Sequence, residues 1–379
     1  MIQLHKSREV FRAFGFPVSV HPSWLAIVLL LTWSLATGWF PLRQGDLSVG
    51  SYYAMGAVGA LALFGCIVVH ELAHALVARH RGMHIGGITL FLFGGVAQLG
   101  EEPPTPATEF QVAIAGPVAS ALIALAAWGL AALGRAAAWP DPAVGVLDYV
   151  AVVNFVLVAF NAVPAFPLDG GRVLRSALWR LRGDLRWATR VASTVGGGFG
   201  ALLVALGILS VFAGSVLGGV WFALIGLFVR GAALGGYRQL VLRQVLEGVP
   251  AARFADKSIT PVSPRLSIQE LVEGHVYRGR AHAYPVAENG RLLGMITTSD
   301  LRSVPRDRWH DMRVRDLMDA PSSENSITPD VDAMTAFRKM TSSGRPRLMV
   351  TDRDGLVGIL TLKDLLEVAE IMLEMEGAK

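Results

Sequence analysis

Two histidines four residues apart, with a glutamate directly after the first, make up His70-Glu71-Leu72-Ala73-His74. On a helix, positions i and i+4 project from one face, so both imidazoles can share one divalent cation while Glu71 points toward water on it. Catalytic zinc takes three protein ligands and keeps a fourth position open, so a third ligand must come from elsewhere in the chain. Asp169 is the candidate. It follows Pro164 and Pro167, which break a helix, and precedes Gly170-Gly171, which let the backbone turn sharply. A carboxylate at the end of an apolar run is costly unless a cation meets it.

The chemistry of such a group is hydrolysis. Zinc lowers the pKa of its water toward about 7, and Glu71 takes the proton and passes it to the leaving amine. A five-residue pattern of this kind arises by chance in many chains, so its surroundings matter. Here it lies inside the apolar stretch 53–78.

The elements that must position these residues belong to a membrane protein. The 379 residues are 17% charged, against about 25% in soluble domains, and the mean hydropathy is +0.47. Nearly all long uncharged runs precede residue 235 or so, and the remainder mixes charge with short apolar segments as an aqueous domain does. Runs near 20–40, 53–78, 110–133, 149–166, 191–212 and 216–234 predict about six transmembrane helices. Segment 85–99, which is too short and too β-prone to cross, predicts a re-entrant β-hairpin.

Arginines and lysines gather at the ends of these runs: Lys6, Arg8 and Arg12, then Arg79 and Arg81, then Arg172, Arg175, Arg180, Arg182, Arg186 and Arg190. With six spans all three clusters fall on one side, which places both termini in the cytoplasm. His70 lies about 14 Å of helix before Arg79, and Asp169 directly precedes the third cluster, so both halves of the site approach from that side. The pI of 9.4 therefore reflects topology and not a nucleic-acid partner. Cys66 is the single cysteine, so no intrachain disulfide framework exists, and it reads as a packing residue. His21, His80 and His84 read as interfacial or packing residues, Asn154 as a hydrogen-bonding partner of a neighbouring helix, and Glu101 and Glu102 as a solvated loop.

His70-Glu71-x-x-His74 in one hydrophobic helix, with Asn161-x-x-Pro164-x-x-Pro167-Leu168-Asp169-Gly170, resembles the site-2 protease family of intramembrane zinc metalloproteases. Gly94-Gly95 and Gly116-Pro117 extend the resemblance across the inserted region. It implies Zn2+ held by His70, His74 and Asp169, catalysis by Glu71, and a hydrogen bond from Asn161 to the substrate or the oxyanion. The implied substrate is a single-pass transmembrane protein, commonly the anchor of a regulatory protein already trimmed outside the membrane. The hairpin, with Gly94 and Gly95, would hold the unwound segment by strand addition.

The tail repeats itself. Gly294-Met295-Ile296-Thr297-Thr298-Ser299-Asp300 and Gly358-Ile359-Leu360-Thr361-Leu362-Lys363-Asp364 share the pattern G-x-x-T-x-x-D, displaced by 64 residues. Asn289-Gly290 and Asp354-Gly355 signal a hairpin before each copy, and helical stretches near 267–277 and 331–340 lie upstream. The unit resembles a soluble α/β tandem CBS domain. That resemblance implies ATP, ADP or AMP as regulatory ligand, with Asp300 and Asp364 on ribose and Thr297 and Thr361 on phosphate, or a homodimer formed through the pair. The expected layout is an intramembrane metalloprotease domain over 1–240, a helical linker over 241–252, and CBS domains over 253–306 and 314–373. A CBS-regulated transporter or channel is the alternative, although it would not require Glu71 between two histidines.

Overall fold

Long uncharged runs become long helices in the computed structural model, which describes residues 7–91, 94–99, 102–278, 282–289, 291–353 and 355–377. Contacts divide the chain into two units, Met1–Tyr237 and Arg238–Lys379.

In the first unit, α2 (Val49–His80), α3 (Pro106–Ala136), α4 (Asp141–Asn161), α6 (Leu185–Phe212) and α7 (Val216–Leu246) are long and apolar enough to cross a membrane. Large apolar side chains such as Leu61, Leu125, Phe155 and Leu209 stand exposed on them, as lipid-facing residues do. The first expected run is shorter than the rest. Val20 closes a strand and Pro22 precedes the helix, so α1 (Ser23–Ser34, continuing as a π-helix over Leu35–Trp39) supplies an apolar helix of Ser23–Trp39. Among the described residues, five long helices and one shorter one thus stand where about six crossings were expected. α4 begins earlier than its apolar run because Pro140 and Pro142 start it, and residues 162–168 form the turn into α5 (Asp169–Arg182).

Two strands ahead of α1 had no counterpart in the sequence reading. β1 (Arg8–Ala13) and β2 (Phe16–Val20) form a hairpin whose turn holds Phe14 at φ 51° and Gly15 at φ 87°. β2 pairs in parallel with β3 (Ile85–Phe91), and β3 pairs antiparallel with β4 (Gly94–Leu99). The expected 85–99 hairpin is therefore one half of a four-stranded sheet of order β1-β2-β3-β4, with β4 at an edge. Leu92 and Phe93 lie outside the described residues. Phe16 and Ile88 pack on Leu72 and Ala75, which docks the sheet on the turn of α2 that carries the histidines.

α6 and α7 meet at paired glycines. A Cβ on Gly200 would lie 2.7 Å from the Gly226 carbonyl, and one on Gly207 would lie 2.6 Å from that of Gly219, so these backbones touch as small-residue membrane interfaces do.

α7 runs through the unit boundary, and its last turn contributes Leu242 and Leu246 to the core of the second unit. That unit contains both repeats. The first comprises α8 (Ile268–Leu271, continuing as a π-helix over Val272–Val276), β5 (Ala283–Glu288), β6 (Arg291–Thr297) and α9 (Thr298–Leu301). After α10 (Val314–Leu317) and β7 (Ser326–Ile327), the second comprises α11 (Ala333–Ser343), β8 (Arg347–Asp352), β9 (Gly355–Thr361) and α12 (Leu362–Gly377). Ser267 opens the first copy with a capping box to Glu270, whose carboxyl these Ser267 hydrogen bonds hold below its usual range. Hairpins β5–β6 and β8–β9 stand where the turn signals put them, with Gly290 and Asp354 outside the described residues.

The repeats complete one another. Asp256, ahead of the first copy, bridges Ile359 of β9, and Asp319, ahead of the second, bridges Met295 of β6. The glycine that opens each G-x-x-T-x-x-D lies under this crossing: a Cβ on Gly294 would stand 2.6 Å from the Asp319 carbonyl, and one on Gly358 would stand 2.7 Å from that of Asp256.

Candidate metal centre

α2 delivers both histidines on one face, as their spacing requires, and α5 presents Asp169 in its first turn. All three side chains are buried. His70 Nε2 lies 3.1 Å from Asp169 Oδ2, His74 Nε2 lies 3.3 Å from Asp169 Oδ1, and the two Nε2 atoms are 3.1 Å apart. Ligands held at about 2.0–2.1 Å by a tetrahedral zinc ion lie about 3.3 Å from one another, and the two imidazole nitrogens and the Asp169 carboxylate approach one another at that spacing. Among the described residues this is the group of histidine, cysteine and acidic side chains that can hold a metal, and Cys66 is not part of it.

The far ring nitrogens are also engaged. His74 Nδ1–H donates to the Val112 carbonyl at 2.6 Å, which fixes the tautomer that leaves a lone pair on Nε2. His70 Nδ1 pairs with Ser120 Oγ at 2.9 Å. Both partners belong to α3, which also brings Gly116 against the two Nε2 atoms; a Cβ there would stand 2.5 Å from His70 Nε2 and would overlap His74. The residues present fit a zinc ion: a carboxylate, two oriented imidazoles and a backbone cleared of side chain on one side.

Glu71 is half-buried beside the edge strand. A Cβ on Gly95 would lie 2.8 Å from Glu71 Cγ, so β4 runs directly past that carboxylate. Gly94 starts the same strand. Asn161 is the last residue of α4 and is half-buried at the head of the turn toward Asp169.

Sequence reasoning missed Ser120, the Val112 carbonyl and a cluster around Arg175. Arg175 was read with the basic cluster that orients the chain, yet it is buried and paired with Glu109 and Glu102. Glu102 sits in a loop with its side chain partly exposed, as expected, while also pairing with Arg175, and Glu101 lies outside the described residues. Asn154 donates to the Val150 carbonyl of its own helix at 2.9 Å, and its side chain also reaches the Cys66 thiol of the neighbouring α2, as expected. His80 and His84 are exposed near the end of α2, and His21 pairs with Ser23 Oγ at 2.8 Å.

In the second unit the four candidate nucleotide residues form two matching caps. Thr297 N–H and Oγ1–H donate to Asp300 Oδ2 at 2.8 and 2.7 Å, and Thr361 N–H donates to Asp364 Oδ2 at 3.1 Å. Asp300 N–H and Asp364 N–H donate back to the threonine hydroxyls at 3.4 and 3.1 Å.

Apolar helices gathered around a buried two-histidine, one-aspartate centre, with a glutamate beside it, define a membrane metalloprotease. Comparison gives the family. The sequence pattern of Peptidase family M50 matches residues 58–139 and 129–206, and that of the CBS domain matches 251–307 and 314–371. The chain is 35% identical to Rip3 of Mycobacterium tuberculosis, named as a zinc metalloprotease, over 95% of this chain and 92% of that protein. It is 33% identical to a second such protein, sll0528 of Synechocystis, over 94% of each. A solved site-2 protease from Methanocaldococcus jannaschii aligns at 25% identity with a TM-score of 0.43, covering 60% of this chain and 94% of that one. The chain belongs to Peptidase family M50, the site-2 proteases, and is a multi-pass membrane metalloprotease with a tandem CBS pair. Membership leaves the transporter alternative without support.

Proposed function

We propose that the protein hydrolyses a peptide bond within the transmembrane segment of a membrane-anchored regulatory protein, using Zn2+ held by His70, His74 and Asp169. The observation that carries this reading is the set of 3.1, 3.1 and 3.3 Å separations among two imidazole nitrogens and the two oxygens of one carboxylate, all on buried residues of an apolar helical unit. A zinc ion there supplies a Lewis acid that polarises water and the scissile carbonyl. Glu71 takes a proton from the attacking water and delivers it to the departing nitrogen. Asn161 donates a hydrogen bond to the substrate or to the developing oxyanion.

A peptide bond inside a helix is shielded by its own hydrogen bonds, so the substrate must unwind first. The edge of β4 offers it a strand partner, with Gly95 keeping the strand free of a side chain where it passes Glu71 and Gly94 opening the same strand. Both termini lie in the cytoplasm by the placement of Arg and Lys, so water reaches the centre from the cytoplasmic face. Residues 1–240 form the catalytic domain, 241–252 a helical linker, and 253–306 and 314–373 the CBS domains.

The CBS pair serves as a cytoplasmic sensor of ATP, ADP or AMP through Thr297, Asp300, Thr361 and Asp364, or as the contact of a homodimer. Matching caps in both repeats support two equivalent ligand positions.

Glu71→Gln separates binding from chemistry. We expect zinc to remain and turnover to fall by about 10²–10⁴. In membranes from cells carrying the variant, a single-pass fragment should accumulate relative to wild type; indistinguishable membrane proteomes would refute the assignment. For the sensor, the rate of cleavage by the full-length protein is followed while ATP is added. A flat response at saturating, demonstrably bound nucleotide rejects that role.

A further inference from the structure

Outside the metal centre, Arg175 of α5 and Glu109 of α3 form an ion pair buried on both sides. Arg175 Nε–H donates to Glu109 Oε1 at 2.5 Å, and its Nη2 contacts the same oxygen. The same Nη2 reaches the outer carboxylate, Glu102 Oε2, at 3.3 Å. Glu109 is 0% and Arg175 5% exposed. Burying such charges costs several kcal/mol per ion, and apolar side chains of equal volume often hold helices together as well or better. Stability alone does not account for the pair.

Its position does. Glu109, Val112, Gly116 and Ser120 recur at i, i+3, i+7 and i+11 and form one buried strip of α3. Val112 and Ser120 hold the two histidines, and Gly116 lies against both. Glu109, at the end of the same strip, holds the helix whose first turn carries Asp169. The Arg175 guanidinium also lies 5.4 Å from the centre of the Phe166 ring, in the turn that leads into Asp169.

We infer that the Glu109–Arg175 pair is a positioning device for the metal centre, fixing α5 against α3 so that Asp169 meets the two imidazoles at ligand distance. This rests on the zinc reading above. Metal–ligand distances tolerate only about 0.2 Å, a margin that apolar packing of two sliding helices does not define. A planar guanidinium whose Nε and Nη2 converge on one oxygen of Glu109, with Nη2 also reaching Glu102, narrows it, because its donors lie in one plane at fixed angles.

The test uses full-length protein purified in detergent. The double variant Glu109→Gln/Arg175→Met removes both charges together, so neither is left buried and unpaired, and Arg175→Lys keeps the charge without the fork. Readouts are zinc Kd by chelator competition, the visible absorption of the Co2+-loaded protein, and thermal unfolding followed by helical circular dichroism. We expect the double variant to fold with at least tenfold weaker zinc binding and a changed Co2+ spectrum, and Arg175→Lys to fall between it and wild type. A folded double variant with wild-type Kd and spectrum overturns the inference. So does loss of the fold in both variants, since the pair would then tie helices together without placing a ligand. A wild type that binds no zinc fails at the earlier reading, and the inference falls with it.

Discussion

Gly95 of β4 runs so close to Glu71 that a Cβ on the glycine would stand 2.8 Å from the glutamate Cγ and 3.1 Å from Ile67 Cγ2. The strand edge and the proposed base thus share one wall. Gly95→Val should displace one from the other and lower cleavage by about 100-fold, since misplacement on the scale of 1 Å carries that cost. Zinc content, measured by elemental analysis, should stay at the wild-type level. Parallel loss of zinc and activity would contradict a substrate-positioning role.

Ser120 is the side-chain partner of His70 Nδ1. Ser120→Ala should weaken zinc binding by about 10–100-fold, the usual effect of removing a group that orients a metal-bound histidine. Competition with a chelator of known affinity measures it, and an unchanged Kd would show that packing alone orients the ring.

Gly116→Ala tests the clearance on α3. The new methyl would overlap the Nε2 atoms of both histidines, so the variant should fold yet purify without zinc. A metal-to-protein ratio equal to wild type would mean that α3 shifts to make room.

Gly358→Val should destabilise the CBS pair by about 1–3 kcal/mol, because the added carbons meet the Asp256 carbonyl, 2.7 Å from where a Cβ would stand. Gly294→Val should act alike against Asp319. Lowered unfolding temperature of the tail in full-length protein, with zinc content retained, is the expected pattern. Wild-type unfolding in both variants would show that the crossing is loose.

The three proposed metal ligands were legible because helical periodicity fixes the i, i+4 pair and because prolines and glycines mark the turn that presents Asp169. The supporting residues were not. His70 and Ser120 are separated by 50 residues, and Arg175 and Glu109 by 66, so no local period links them. Gly116-Pro117 was noticed as part of a resemblance, but only the packed structure shows that the glycine clears space for two imidazoles. Arg175 misled in a specific way: charge counted along the sequence carries topology, whereas burial decides whether a given arginine faces headgroups or a carboxylate. β1 and β2 escaped because Arg8 and Arg12 were weighed as charges flanking a span. The turn at Phe14-Gly15, with Pro17 beyond it, was the available signal for a hairpin.

Asp256 bridges Ile359, and Asp319 bridges Met295. During synthesis, the segment around Asp256 leaves the ribosome well before Ile359 has been added, and it must wait unpaired until then. The bridge from Asp319 to Met295 needs no residue beyond 319, so the two halves of the crossing become available in order, that one first. A product truncated before Ile359 would lack that half of the interlock and leave the segment around Asp256 without its strand partner.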